Sequence, residues 1–587
     1  MSSIYDKSSL VLIPSGTKSG KVFSQKPVNG DGDFTFSRST AATRVNASGN
    51  IEKETQNLLL QSNSFTTGWD KSSEITLTSG QAGYDGSNNA WLMSKNSATT
   101  YRFIGRSSIS HSGVQTASVY AKAGTLSILT LYAGGGINPF VEFDLSAGSI
   151  VNQRSGVIDS TITDVGNGWY RCTMTFNDPI TFYQIYPDWD LTNTGNLYIQ
   201  DAQLNQGLIA QEVITTTTAA VEGGITDNVP RLDYTDSSCP ALLLEPQRSN
   251  LLVQSEYYST TPYSRVNASV THNDTTSPEG VVNAVKLESS SNGSASRVET
   301  FPTFADNTIY TASIFAKQGN VDYIMVNVRD KNNVQHNTYF DLSDGTKGSS
   351  NGSPISTSIE AVGDYYRVSI TIDSSSGGTT PRLQYLIANT DNNVVTASGE
   401  YIYIYGAQLE AGSYATSYIP TYGTSVTRNA DESKVAYNAI AGLNEATLVV
   451  EYEIPIEQPS GLNHIAGYRD NANADFYILQ LGNSNNHELR WRGQNGTQTS
   501  LVAAIDEATY GLHRKIAFVK TNDKLIAYCN GVKVSETSAG ATNAFSTNAS
   551  EELDLWYSGF VESKPIKQLL VIPSALSNQE AIDLTTI

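Results

Sequence analysis

Five landmarks occur twice along this chain, in the same order. Asn57-Leu58-Leu59-Leu60-Gln61-Ser62 returns as Asn250-Leu251-Leu252-Val253-Gln254-Ser255, an offset of 193 residues (57 to 250). Thr116-Ala117-Ser118-Val119-Tyr120-Ala121-Lys122 returns as Thr311-Ala312-Ser313-Ile314-Phe315-Ala316-Lys317. Phe143-Asp144-Leu145-Ser146 returns as Phe340-Asp341-Leu342-Ser343, and Trp169-Tyr170-Arg171 as Tyr365-Tyr366-Arg367. Ala202-Gln203-Leu204 returns as Ala407-Gln408-Leu409, where the offset has widened only to 205 (202 to 407). Self-similarity in fixed order is the mark of a tandem duplication, so whatever fold the first copy takes, the second shares.

The repeated segments have the period of strands. Ser118 to Lys122, Leu126 to Tyr132 and Tyr170 to Phe176 alternate apolar and polar residues, as a strand with one buried face requires. Tyr366 to Ile372 does the same in the second copy, and Leu197 to Gln200 and Tyr401 to Tyr405 read as closing strands. Gly124 and Gly319 end one such run where the chain must turn. Short strands separated by Gly, Asn and Ser turns predict a β-sandwich. The composition agrees: 16% charged residues with 32 Tyr and 46 Gly suits neither a helical bundle nor a disordered chain.

From about residue 430 the pattern changes. Glu445 to Glu453 opens as a strand, and Asp475 to Leu481 with His487 to Arg492 flank an Asn-rich turn. Arg514 to Val519 pairs plausibly with Leu525 to Cys529, and Asn530-Gly531 supplies the positive φ of a tight turn before Val532. The expected organisation is an N-terminal segment (1–56), a first module (57–222), a connector (223–249), a second module (250–428) and a third sandwich (429–587). Thr43-Arg44-Val45-Asn46, Pro230-Arg231-Leu232-Asp233 and Thr427-Arg428-Asn429 read as equivalent connectors docking on neighbouring sandwiches.

Charge excludes several functions. With 37 Lys and Arg against 57 Asp and Glu the net charge is −20, and no basic stripe of the kind nucleic acid requires is present. No apolar stretch approaches the roughly 18 residues of a membrane span. Met1 to Lys7 lacks the basic start and apolar core of a secretory signal, so synthesis in a reducing cytoplasm is expected. Cys172, Cys239 and Cys529 are far apart and odd in number, which argues against a disulfide framework.

Asn57-Leu58-Leu59, followed by Phe65 and Trp69, resembles the opening of carbohydrate-binding jelly-roll modules. Ala241 to Leu252 (Ala-Leu-Leu-Leu-Glu-Pro-Gln-Arg-Ser-Asn-Leu-Leu) is similar to a segment of tailed-bacteriophage fibre and tail proteins. Phe34 to Thr40 with Ala42 to Val45 resembles the same proteins, and the N-terminus as a whole resembles structural proteins of crAss-like phages. The last part, through His513 to Phe518, Cys529-Asn530-Gly531 and Leu576 to Glu580, resembles a laminin G/concanavalin-like lectin sandwich. The fold class these resemblances imply is all-β: tandem duplicated jelly-roll sandwiches followed by a concanavalin/laminin G-like sandwich. The function they imply is a virion structural subunit, a head fibre or capsid decoration protein whose sandwiches adhere to host-surface or mucosal glycans. A tail fibre, a spacer without glycan affinity and a tail-spike depolymerase are the alternatives. Expected partners are other virion proteins, met through the N-terminal segment with its Leu10-Val11-Leu12-Ile13-Pro14, host-surface glycans, and further copies of the chain.

Glycans present hydroxyl arrays and weakly apolar ring faces, which suit amide donors beside exposed aromatic planes. The candidate platforms are Trp189, flanked by Pro187, Asp188 and Asp190, together with Trp69, Trp91 and Trp491; burial in a sandwich core is the competing reading for each. The jelly-roll resemblance implies a structural calcium near Asp201, with Asp188 and Asp190 as further oxygen ligands, although the second module has Gly406 where the first has Asp201. Simple exposure to solvent is the commoner explanation for such carboxylates. No cofactor is otherwise expected. With 57 acidic residues no carboxylate pair stands out as a hydrolase signature, and no nucleophile elbow, phosphate loop or His-Glu-x-x-His motif is present, so no enzymatic activity is expected.

Overall fold

The computed structural model describes residues 2–98, 101–189, 193–235, 237–259, 261–378, 380–453, 463–469, 475–481, 486–492, 498–505, 509, 512–538, 544–545, 552–555 and 564–587. Three antiparallel β-sandwiches make up the chain. In the first, one sheet runs Val157–Gly166, Trp169–Asn177, Val114–Ala123, Gly195–Gln206, Ala90–Lys95, Ile75–Gln81. Its partner sheet runs Ser149–Gln153, Phe140–Asp144, Ile128–Gly134, Ile180–Pro187, Ile104–His111, Asp70–Lys71. The second sandwich repeats both orders strand for strand, with Ile309–Lys317 and Tyr401–Ala411 central in one sheet and Tyr323–Arg329 and Arg382–Ala388 central in the other. Even the irregularities are shared. The ladder slips between Ser118 and Tyr120 opposite Asp201, and between Ser313 and Phe315 opposite Gly406. Both bulge residues hold positive φ, 49° and 62°, a conformation open to Gly and tolerated by Asp.

The third sandwich is assembled from all parts of the chain. Leu10–Leu12 pairs with Lys564–Ile572 (Leu10 opposite Val571), and Ala241–Leu244 of the connector pairs with the same strand farther along. Phe34–Ser37 pairs with Glu432–Val435 in the opposing nine-stranded sheet. Thus Leu10–Leu12 and Phe34–Ser37, expected in a segment that docks on the particle, are built into the third sandwich. The reason is burial: Leu10, Val11 and Leu12 are all buried, because the inner core covers one face and the C-terminal helix Asn578–Thr585 the other. A short, wholly apolar strand is stable only between two layers. The helix, unforeseen in the sequence reading, is capped by Ser577 and Glu580 in a reciprocal capping box.

The connectors converge on a buried ionic hub. Arg38, Arg231 and Arg428, all buried, surround Glu245 and Asp431. Arg38 binds Asp431 at 2.9 Å, Arg231 binds Glu245 at 2.6 Å and also Asp431, and Arg428 binds Glu245. The Ser417 amide donates to Glu245 at 2.8 Å, and the Glu245 amide donates to Asp431 at 2.9 Å. Burial alone would raise the Glu245 carboxyl, yet Arg428 and Arg231 hold it well below the usual carboxylate range. Two of the three expected connector arginines are here; the third member is Arg38, since Arg44 instead pairs with Glu52 near the surface.

A second junction joins the segment before the first sandwich to the second one. Lys53 reaches Glu256 at 3.2 Å and Glu279 at 2.5 Å, and the Tyr418 and Tyr422 hydroxyls donate to Glu256 at 2.9 and 3.1 Å. The sandwiches also meet directly: the Val114 amide donates to the Tyr422 carbonyl at 3.1 Å, beside Gly113. A Cβ on Gly113 would lie 1.4 Å from that carbonyl oxygen, so only glycine permits the approach.

Candidate functional site

The repeated motifs are structural clamps. Asn57, fully buried, donates to the carbonyls of Ala202 (3.1 Å) and Ile214 (2.8 Å) and accepts from the amides of Leu59 and Leu204. Asn250 repeats all four bonds with Ala407, Ile419, Leu252 and Leu409. Thr116 and Thr175 share a buried 2.8 Å bond, as do Thr311 and Thr371. These side chains satisfy backbone groups where the first strand of each module meets the last, which is why they recur. Function is therefore sought where the copies differ.

They differ most on the outward face of the sheet that contains Ile128–Gly134 in the first sandwich and Tyr323–Arg329 in the second. In the first, Tyr132 stands opposite Phe140 on one side and Gln184 on the other. Trp189 follows this strand and folds back over the row, 4.5 Å from Tyr101, 4.9 Å from Phe140, 4.6 Å from Tyr186 and 5.7 Å from Tyr132, centroid to centroid. The Arg154 guanidinium lies 4.5 Å from the Phe140 ring centroid and 5.6 Å from that of Trp189. Phe182 lies flat across Gly134, where a Cβ would fall within 2.1 Å of its ring. Trp189, Tyr132, Phe182 and Phe103 are half-buried, Tyr101 is 49% exposed, and the Tyr186 hydroxyl donates to Gln184 at 2.7 Å. The result is a strip of aromatic edges and faces with a central amide and one guanidinium laid against the rings. Such a strip offers stacking surface beside hydrogen-bonding groups.

In the second sandwich the same register holds polar groups. Asn327 occupies the place of Tyr132, opposite Asn337 and Gln384. Asn327 donates to Gln384 at 2.6 Å, Gln384 donates to Glu299 at 2.6 Å, and Arg297 closes the row on Glu299 at 2.8 Å.

The other sequence candidates fall elsewhere. Trp69 is in the first core, its ring 5.0 Å from Phe65 and its indole N–H on the Gln61 carbonyl at 2.9 Å. Trp91 packs on the same Phe65 and donates to the Asn63 carbonyl at 3.1 Å. Both are therefore corrected from platform to packing residues, since each indole is spent on the core. Trp491 lies on the strand Asn486–Arg492, but its side chain, like all of Asp190, lies outside the described residues. Of the proposed calcium ligands, the two that are described, Asp188 and Asp201, are not brought together. Asp188 ends a strand of one sheet and accepts from Asn193 at 3.1 Å, whereas Asp201 sits in the bulge of the other sheet and accepts from Tyr84 at 3.2 Å. Burial raises the Asp201 carboxyl above its ordinary value. Among the described residues no three His, Cys, Asp or Glu gather in a metal-holding group. Cys172 is a buried core residue whose thiol burial pushes up, a poor nucleophile. The aromatic neighbours of Trp189 were missed in the sequence because they come from three strands and the segment around Tyr101; the signal available was Tyr132 and Tyr186 at outward-facing positions of their strands.

No protein-family model matches the chain, and no curated protein does. Among solved structures, the binding domain of Paraclostridial Mosquitocidal Protein 1 is 13% identical with a TM-score of 0.23, covering 27% of this chain; this chain spans only 43% of its length. The Ruminococcus gnavus IT-sialidase CBM40 bound to alpha2,3 sialyllactose is 17% identical with a TM-score of 0.21, covering 24% of this chain and 84% of its own. The CBM22-1-CBM22-2 tandem domain of Paenibacillus barcinonensis Xyn10C is 12% identical with a TM-score of 0.21, covering 60% of this chain and 97% of its own. At these identities and scores no ligand is carried across; the sandwich architecture rests on the strand pairings themselves.

Proposed function

We propose that this chain is a non-catalytic, saccharide-binding structural subunit of a tailed-phage particle, a head fibre or decoration protein displayed on the virion after synthesis in the host cytoplasm. The observation that carries the saccharide reading is the outward face of the first sandwich: Trp189, Tyr101, Tyr132 and Phe182 form one accessible aromatic strip beside Gln184 and Arg154. Sugar rings stack on such faces while their hydroxyls meet the amide and guanidinium. One shallow strip binds weakly; many copies on a particle raise avidity by about 10²–10⁴. The phage reading is supported by the resemblance of residues 34–45 and 241–252 to phage fibre and tail proteins. Leu10–Leu12 and Phe34–Ser37 are strands of the third sandwich, so attachment through the N-terminal segment would be made by that sandwich rather than by a free arm.

A glycan array with the full chain and Trp189→Ala tests the saccharide reading. The expected outcome is a set of bound glycans whose signal drops about tenfold in the variant while the melting temperature holds. Equal binding by both proteins, or a blank array, refutes it. Electron microscopy of labelled particles tests the location, and release of reducing ends from host capsule would refute the non-catalytic reading.

A further inference from the structure

On the second sandwich, the strand pair that carries Gly134 and Phe182 in the first copy carries two arginines. Arg329 stands directly opposite Arg382, as Gly134 stands opposite Phe182. Like charges directly opposite one another on neighbouring strands destabilise a sheet, and the pair has little internal relief. Arg329 has no ion pair among the described residues, only a bond from Nε to the Thr380 carbonyl at 3.2 Å. Arg382 lies 3.6 Å from Glu299, which Arg297 and Gln384 already hold at 2.8 and 2.6 Å. The buried Nε of Arg382 finds no partner among the described residues. Burial, and then Arg382, push the Arg329 guanidinium below its ordinary value.

These arginines border a cavity of about 510 Å³, with Lys331, Phe301, Thr303 and Thr380 also on its wall. Phe301 is 54% exposed, and the Arg382 guanidinium stands 5.2 Å from its ring centroid. Lys331 is paired with the exposed Asp306, and the nearby Asp330 is taken up by the Val334 amide and the Ser375 hydroxyl, both at 2.8 Å, and faces His336 at 3.6 Å. On a chain of net charge −20, three basic side chains meet at one cavity, two of them paired (Lys331 with Asp306, Arg382 with Glu299) and Arg329 without an ion pair among the described residues.

We infer that this cavity is a second ligand site, one that takes the anionic group of an acidic saccharide between Arg329 and Arg382 with the sugar ring against Phe301. The inference rests on the saccharide reading above but uses a different surface. An anion between the guanidiniums removes their repulsion, and guanidinium forks match carboxylate and sulfate alike. The chain's net charge of −20 opposes general attraction of a polyanion.

Affinity electrophoresis of the full chain in gels containing polygalacturonate, dextran sulfate or neutral dextran tests the site. The expected result is retardation by at least one anionic polymer, weakened by salt, and about tenfold weaker in Arg329→Gln. Arg382→Lys, which keeps the charge but loses the fork, weakens it less. Retardation by polygalacturonate alone assigns a carboxylate, and by dextran sulfate alone a sulfate ester. Without ligand, Arg329→Gln is expected to melt at the same temperature as the parent or higher, because a like-charge pair is relieved. Retardation unchanged in Arg329→Gln, or absent in both anionic gels, overturns the site. The saccharide reading itself is judged separately, by the glycan array with the parent chain and Trp189→Ala.

Discussion

The first and second sandwiches share a framework and oppose each other on one face. Asn57 and Asn250 make the same four buried bonds, and the same bulge bends the same strand. Yet at equivalent places on the outward sheet one copy has Tyr132, Phe140 and the Phe182–Gly134 stack, the other Asn327, Asn337 and the Arg382–Arg329 pair. Duplication frees one copy's surface to change while its clamps cannot. A buried amide serving four backbone groups has no substitute, whereas an outward side chain answers only to its neighbours and to solvent. What the copies retain is therefore read as stability, and what they have exchanged as ligand chemistry.

The largest effect should come from the hub that both copies lean on. Asp431→Ala leaves Arg38 buried without its carboxylate and Arg231 with Glu245 alone, and is expected to cost about 3–5 kcal/mol in chemical denaturation. A cost near zero would mean that the connectors do not hold the sandwiches. Next, Asn57→Ala and Asn250→Ala should each cost about 2–4 kcal/mol, and by similar amounts, since each orphans the same four backbone groups. Unequal costs would break the claim that the frameworks are equivalent. Smaller still, Tyr132→Asn places the second copy's residue in the first copy's strip. It should cost about 1 kcal/mol of stability, from lost ring contacts, and weaken saccharide binding about tenfold. Unchanged binding would detach the aromatic strip from function.

The smallest effect distinguishes the copies by pH. Glu54, three residues before Asn57, is pushed up to about 7 by burial and then by Glu222 and Asp227, whereas Gln247 stands three residues before Asn250. A carboxyl whose folded value lies above its unfolded one favours folding while protonated. That contribution is complete below the ordinary glutamate value and is lost as pH rises toward 7. Glu54→Gln should therefore flatten the decline in stability across that window, measured by thermal melts at successive pH values. An unchanged slope would place the titration elsewhere.

The all-β class, the duplication and most strand positions were legible before any coordinates, because alternation and turn residues are local signals. Asn530 and Gly531, at φ 46° and 80°, form the tight turn their sequence specifies. The C-terminal helix was legible too, through Ser577 and Glu580 at capping-box spacing, but went unread beside so much strand pattern. The site was legible only as a single residue, Trp189. Its aromatic partners belong to separate strands, and the core roles of Trp69 and Trp91 depend on where Phe65 lands. A one-dimensional pattern reveals that a segment has an apolar face, or two, but not which distant segment covers it. Leu10 opposite Val571, Arg38 beside Asp431 and Arg329 across from Arg382 were therefore set by the packing of the whole chain, where burial and charge select among partners hundreds or tens of residues apart.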